Sequence, residues 1–153
     1  MMNSGEGELG YKLLEDPEEN NVGFSMSNIN FRAEKGKLTV IIGKIGSGKS
    51  SLIHAILGEM GIRDTSKTSI VVNGMIGFCS QKPWMINGTI KDNIVLDKAY
   101  DQIKFEWALK YSALEHDIKI WDDKEMHIVG ESGAALSGGQ KARIALARCL
   151  YQK

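Results

Sequence analysis

The stretch Gly43-Lys44-Ile45-Gly46-Ser47-Gly48-Lys49-Ser50 constrains this chain more than any other feature. Its spacing is G-x-x-x-x-G-K-[S/T], and its flanks matter as much as its letters. Before it, LTVII (38–42) is a short apolar run suited to a buried central strand. After it, SSLIHAILGEM (50–60) places Leu52, Ile53, Ile56, Leu57 and Met60 at helical spacing, with a stop near Gly61. The glycines let such a loop curl until successive backbone N–H groups face one anion. The helix that follows aims the positive end of its dipole at the same place. Lys49 then serves as a point charge for the outer phosphates of a nucleotide, and the Ser50 hydroxyl as a magnesium ligand.

The rest of the chain fits an α/β reading. Phe24, Met26, Ile29, Phe31 and Ala33 alternate with polar residues, with a phase slip at Asn28–Ile29, which predicts a strand with a bulge. SIVVN and MIGFC flank Asn73-Gly74, a hairpin signal. Beyond Pro83 the pattern turns helical. A short helix is expected from Thr89, then a longer one near Asp101–Leu114 with Ile103, Trp107 and Tyr111 on its apolar face, and a last one over about 137–151. A short strand near Tyr11–Leu14 is the one element expected in the lead-in. Three regions result: a lead-in (1–21), a core part carrying the loop (22–88) and a helical part (89–153).

Composition removes several classes. At 153 residues, 42% apolar and 25% charged, the chain suits one globular domain. No run approaches the roughly 18 apolar residues of a membrane-spanning helix. The start, MMNSGEGELG, has neither the basic nor the apolar part of a secretory signal. Two cysteines, Cys79 and Cys149, are too few for a disulfide framework and suit a reducing compartment, and Cys79 is expected to fill core space in its strand. Glu6, Glu8, Glu15, Asp16, Glu18 and Glu19 face Lys12 alone in the lead-in, so the remainder is only mildly basic. A duplex-binding domain shows a stronger basic stripe, so no nucleic-acid partner is expected.

A second motif, Leu136-Ser137-Gly138-Gly139-Gln140, opens the last helix. Ser137 is a good N-cap, and the two glycines leave backbone N–H groups open, a second anion-binding helix start. Together the two motifs resemble the nucleotide-binding domain of ABC transporters, with GKIGSGKS as the Walker A loop and LSGGQ as the signature. Cys79-Ser80-Gln81-Lys82-Pro83-Trp84 resembles the Q-loop, and Gly130-Glu131-Ser132-Gly133 the segment before the signature. The likeness runs from about Phe24 to Lys153. The short bridge from Lys49 to Gln81, with SQKPWMINGTIKDNI and GESGAALSGGQKARIALARCLYQ, is similar to the first such domain of subfamily C.

The resemblance implies a P-loop NTPase of the ABC type with a small antiparallel β part and a helical signature subdomain. It implies ATP and magnesium as ligands. ATP would sit on Gly43 through Ser51, with Gln81 at the magnesium or the attacking water and Tyr11 stacked on adenine, Phe24 being the alternative. Ser137 and Gly139 would contact the γ-phosphate of ATP on a second nucleotide-binding domain. The Q-loop would couple closure to membrane-spanning domains, on the cytoplasmic face of a membrane. Hydrolysis in the whole transporter would then drive solute movement. Other readings are an ATP-sensing regulatory domain with little hydrolysis, a soluble ABC ATPase of DNA repair or chromosome organisation, and another P-loop enzyme. The 54 residues between Gln81 and Leu136 carry neither heptads nor cysteines for the soluble kind, and no N-K-x-D guanine motif is present.

Other features read as structural. Ile118-Lys119-Ile120-Trp121-Asp122-Asp123 imitates a strand ending in carboxylates but precedes the signature, so a solvated turn is expected. In Asn87-Gly88-Thr89 the threonine reads as a helix cap. His54, His116 and His127 lack metal-ligand spacing. In the family, the Walker B strand follows the signature helix, and a switch histidine comes later. Neither is found by Lys153, so the resemblance predicts a domain fragment whose strands at 38–42 and 75–79 lack neighbours. Such a chain alone is expected to hydrolyse no ATP and to be marginal, self-associating or rearranged.

Overall fold

A computed structural model describes residues 14–16 and 19–153, with side chains from Phe24 onward. The chain divides into two compact units, Met1–Val71 and Val72–Lys153.

In the first unit, strands β1 (Leu14–Asp16) and β2 (Glu19–Gly23) pair antiparallel, Leu14 opposite Gly23 and Asp16 opposite Glu19, with an irregular register between. Tyr11 lies outside the described residues. Helix α1 (Lys49–Ile56) is shorter than the sequence pattern suggests. It ends in a Schellman arrangement: Gly58, at φ 78°, donates to the Ala55 carbonyl, and the Glu59 N–H reaches back to His54. Gly58 thus stops the helix before the expected Gly61. None of the α1 side chains is fully buried.

The expected strands at 24–33, 38–42, 69–73 and 75–79 do not form among the described residues. Leu38, Val40 and Ile42 stand 90%, 68% and 88% exposed, so no neighbour covers them. An apolar run becomes a strand only when another strand takes its N–H and C=O groups. Among the described residues no such partner stands beside these runs. Asn28 takes a left-handed φ of 57°, which breaks the alternation where the phase slips.

The second unit holds the core. Helix α2 (Ile90–Val95) starts at Thr89, whose hydroxyl accepts from Asp92 N while the Asp92 carboxylate accepts from Thr89 N, a reciprocal cap. Helix α3 (Gln102–Tyr111) is capped by Asp101. It buries Phe105, Ala108 and Leu109, not the expected face. Ile103 is 81% exposed, and the Trp107 and Tyr111 rings pack against each other at a tilt, 4.7 Å between centres, outside the core. Two apolar stripes share this helix, and the last helix of the chain, which packs against it, selects the 105/108/109 stripe. A single turn α4 (Glu115–Ile118) follows, then 3-10 turns at Lys124–Met126 and Glu131–Gly133. Asp122 and Asp123 lie exposed in the turn after α4.

Helix α5 (Gly138–Tyr151) is the axis of this unit. Ile144, Ala147 and Tyr151 meet Ile90, Ile94, Phe105, Ala108, Leu114 and Val129 in one buried cluster. The Tyr151 hydroxyl donates to the Ala99 carbonyl at 2.7 Å and accepts from Asp101 N at 2.8 Å, which ties the end of α5 to the α2–α3 loop. Burial of a large side chain is worth about 1.5–3 kcal/mol, so this cluster, rather than helix propensity, holds the unit.

Candidate functional site

In the first unit the phosphate-type loop closes on itself. Gly46 and Gly48 both take φ 80°, a left-handed conformation that suits glycine. Ser47 N donates to the Lys44 carbonyl at 3.2 Å, which forms the turn. Gly48 is the N-cap of α1 and brings no side chain to the helix start. The N–H groups of Lys49, Ser50 and Ser51 therefore begin the helix without an intrahelical partner. The Lys49 ammonium sits over the loop, donating to the carbonyls of Lys44 at 2.8 Å and Gly43 at 3.0 Å, with Ser47 Oγ at 3.5 Å. A Cβ at Gly43 would fall 2.7 Å from Ser47 Oγ, so the loop is tight at that point. Ile45 and Ser50 are exposed. An oxyanion entering the loop meets the Lys49 ammonium and a helix start with open donors. Magnesium would find the Ser50 hydroxyl beside it. The donor set fits a phosphate carrying magnesium.

In the second unit the signature residues form the start of α5. Ser137 Oγ accepts from Gln140 N at 3.3 Å, and Gln140 Oε1 accepts from Ser137 N at 2.9 Å. Leu136 is buried and anchors the turn, while Ser137, Gly138 and Gly139 are exposed. Nothing lies within 4 Å of the place a Gly138 Cβ would take, so the helix start presents bare backbone outward.

Gln140 also donates to Asp117 Oδ1, and the Arg143 guanidinium grips the same carboxylate at 2.6 and 3.0 Å. Arg143 beside it, with Gln140, holds the Asp117 carboxyl below the usual aspartate range despite its burial. The segment before the signature is held to the flank of α2 through Val129 N to the Gly88 carbonyl and Ile90 N to the His127 carbonyl. Gly133, at φ 74°, is packed against the side chains of Met85 and Lys141, which would have to shift to admit a Cβ.

Gln81 and Lys82 are exposed on the segment after Cys79. Further along, Trp84 lies against the Arg148 guanidinium, 3.7 Å from carbon to ring centre. Arg148 also donates to the carbonyls of Trp84 and Asn93 and to Asn93 Oδ1. Asn93 in turn holds the backbone N–H and C=O of Ile86. Local periodicity points to neither Arg148 nor Asp117, because their partners lie far along the chain. A buried basic residue on the apolar face of α5 is the one sequence signal for Arg148. Cys79 is exposed, which corrects its expected place in a core, because the strand that would have buried it does not form.

The match to a family model described as ABC transporter covers residues 26–153, both motifs included. The chain belongs to the ABC transporter family. It is 43% identical over 139 residues to ABC transporter C family member 3 of Dictyostelium discoideum, covering 91% of this chain and 10% of that protein. It is 44% identical over 129 residues to the metal resistance protein YCF1 of Saccharomyces cerevisiae, covering 84% and 8%. With human ATP-binding cassette sub-family C member 4 it shares 38% over 128 residues, covering 84% and 9%. These relatives make it an ABC transporter ATP-binding domain sequence of the subfamily C kind. The chain spans about a tenth or less of the length of each.

Proposed function

We propose that this ABC transporter chain binds ATP with magnesium on Gly43–Ser51 and works within a membrane transporter that closes two such domains on ATP. The observation that carries it is the start of α1, open to an anion and headed by a lysine whose ammonium rests on loop carbonyls. When phosphate enters, Lys49 exchanges two neutral acceptors for a charged one, a stronger hydrogen bond. Gly43, Lys44, Ile45, Gly46 and Gly48 would give the phosphates backbone N–H groups, with Ser47 N–H closing the loop on the Lys44 carbonyl, and Ser50 would give magnesium an oxygen. Gln81 is proposed, by family resemblance, as a further oxygen ligand of magnesium and as the link to the membrane-spanning domains. Tyr11 is proposed as the adenine platform. Magnesium held there would supply neutralisation of the phosphate charge.

Leu136, Ser137, Gly138, Gly139 and Gln140 are proposed to face ATP held by a second nucleotide-binding domain. The capped, outward start of α5 supports that assignment: its donors are exposed, and its orientation is fixed by Leu136 and the Asp117 cluster. ATP hydrolysis and solute transport are proposed for the whole transporter, at the cytoplasmic face of its membrane. No described helix is long and apolar enough to cross one. The test is titration of Mg–ATP into the parent and Lys49→Ala by calorimetry. A loss of about tenfold or more is expected, since a hydrogen bond to a charged group is worth about 1.5–3 kcal/mol. Equal affinity would overturn the assignment.

A further inference from the structure

Cys79 and Cys149 lie 70 positions apart in sequence and meet thiol to thiol, Sγ to Sγ at 3.3 Å. Both belong to the second unit, and neither is in a disulfide. Their meeting has a local cause. A Cβ at Gly77 would lie 3.3 Å from Cys149 Cβ and 3.7 Å from the Cys149 carbonyl oxygen. The missing side chain lets the last turn of α5 settle onto the backbone of 77–79. Cys149 Sγ donates there to the Phe78 carbonyl at 3.3 Å. Cys79 is exposed and Cys149 is partly covered.

We propose that Cys79 and Cys149 form a redox modification site, at which a small disulfide of the glutathione class converts the two thiols into one intramolecular disulfide. The bond ties the segment leading into Gln81 to the last turn of α5. Sulfur atoms at 3.3 Å need to close to ~2.05 Å, a movement two side chains can share. Cys79 is the sulfur that a dissolved reagent reaches. As thiolate it attacks one sulfur of the reagent, which stays bonded to Cys79 as a mixed disulfide while the other sulfur departs as the first thiolate.

Cys149 then gives up its proton and attacks Cys79 Sγ, expelling the second thiolate. Two protein thiols lose two electrons, one reagent disulfide becomes two thiols, and the two cysteine protons end on them. Burial, and then its hydrogen bond with Cys79, push the Cys149 thiol up to about 11, which makes it the resolving sulfur and not the first attacker. The inference needs only the packing of 77–79 on α5 and does not rest on nucleotide binding.

The test exposes the full-length protein to graded ratios of reduced and oxidised glutathione, blocks free thiols with N-ethylmaleimide, and records intact mass and unreduced peptide maps. The parent is expected to lose the mass of two hydrogens, take no maleimide at either cysteine, and yield a peptide joining Cys79 to Cys149 that dithiothreitol releases. Cys149→Ser is expected to stop at a glutathione adduct on Cys79, and Cys149→Ala to do the same should the serine disturb α5. In urea the preference for the Cys79–Cys149 link is expected to vanish. A parent that keeps two maleimide labels at every ratio overturns the proposal. So do separate glutathione adducts, intermolecular disulfides alone, or equal cross-linking in urea.

Discussion

The Arg148 guanidinium lies 3.7 Å from the ring centre of Trp84 and donates to the carbonyl of the same residue. One side chain of α5 thus holds both the ring and the backbone of a residue three places beyond Gln81. All the hydrogen-bond acceptors around it, Trp84 O, Asn93 O and Asn93 Oδ1, are neutral. Burial pushes the guanidinium below its ordinary range, yet arginine starts so high that it stays charged. Carbonyl dipoles and the ring face replace the water it gave up.

Arg148→Met is therefore expected to destabilise the protein by about 2–4 kcal/mol, because it leaves the buried Asn93 carbonyl and the part-buried Trp84 carbonyl without their donor. Urea unfolding followed by circular dichroism measures it. Arg148→Lys should recover only part of the loss, since an ammonium cannot span the two carbonyls and lie flat on a ring. A lysine variant as stable as the parent would mean that charge alone, not the fork, holds the segment.

Asp117 makes stability depend on acid. Its carboxyl is held below the usual range, chiefly by the Arg143 hydrogen bond. The unfolded chain then binds more protons than the folded one at low pH. The contribution is present above the unfolded value, about 3.9, and is lost as pH falls through the lower folded value. Asp117→Asn should lower stability in urea at pH 7 by about 1–2 kcal/mol and flatten the acid limb below about pH 4. A parallel acid limb in parent and variant would assign that limb to another carboxylate.

The motifs were legible because their function depends on adjacent residues. Gly43–Ser50 reads as a loop before a helix, and Leu136–Gln140 as a capped helix start, from spacing alone, and both local shapes are present. The Thr89 cap and α5 were legible for the same reason. The strands were not. LTVII at 38–42 has the letters of a buried strand, but strand pairing is set by distant residues, and no described segment supplies a partner. The buried face of α3 was also ambiguous. Ile103-Trp107-Tyr111 and Phe105-Ala108-Leu109 are both helical stripes, and only the position of α5 decides between them. The Arg148, Asp117 and Cys79–Cys149 contacts join residues that no local pattern relates.

Gly48 tests the loop without removing a charge. Its φ of 80° at the cap of α1 costs a non-glycine residue about 1–2 kcal/mol. Gly48→Ala is expected to shift the cap toward negative φ and swing the Lys49 and Ser50 N–H groups away from the loop centre. Mg–ATP affinity should fall by about tenfold, with the second unit's thermal transition unchanged. Unchanged affinity would show that the left-handed cap is not needed for binding.

The last prediction separates the two helix starts. Ser137 is exposed, its oxygen caps Gln140 N, and the space at Gly138 is open. If the start of α5 receives ATP from a second domain, a bulky cation there blocks that approach and leaves this chain's own loop intact. Ser137→Arg also removes a cap worth about 1 kcal/mol, so Ser137→Ala is the control that loses the cap without the bulk. Calorimetry with Mg–ATP is expected to give parent-like affinity for both variants. In the intact transporter, ATP-dependent closure measured by cross-linking between the two nucleotide-binding domains should survive Ser137→Ala and fail in Ser137→Arg. Loss of binding in Ser137→Arg as deep as in Lys49→Ala would place the signature in this chain's own site, and the two-sided arrangement would not stand.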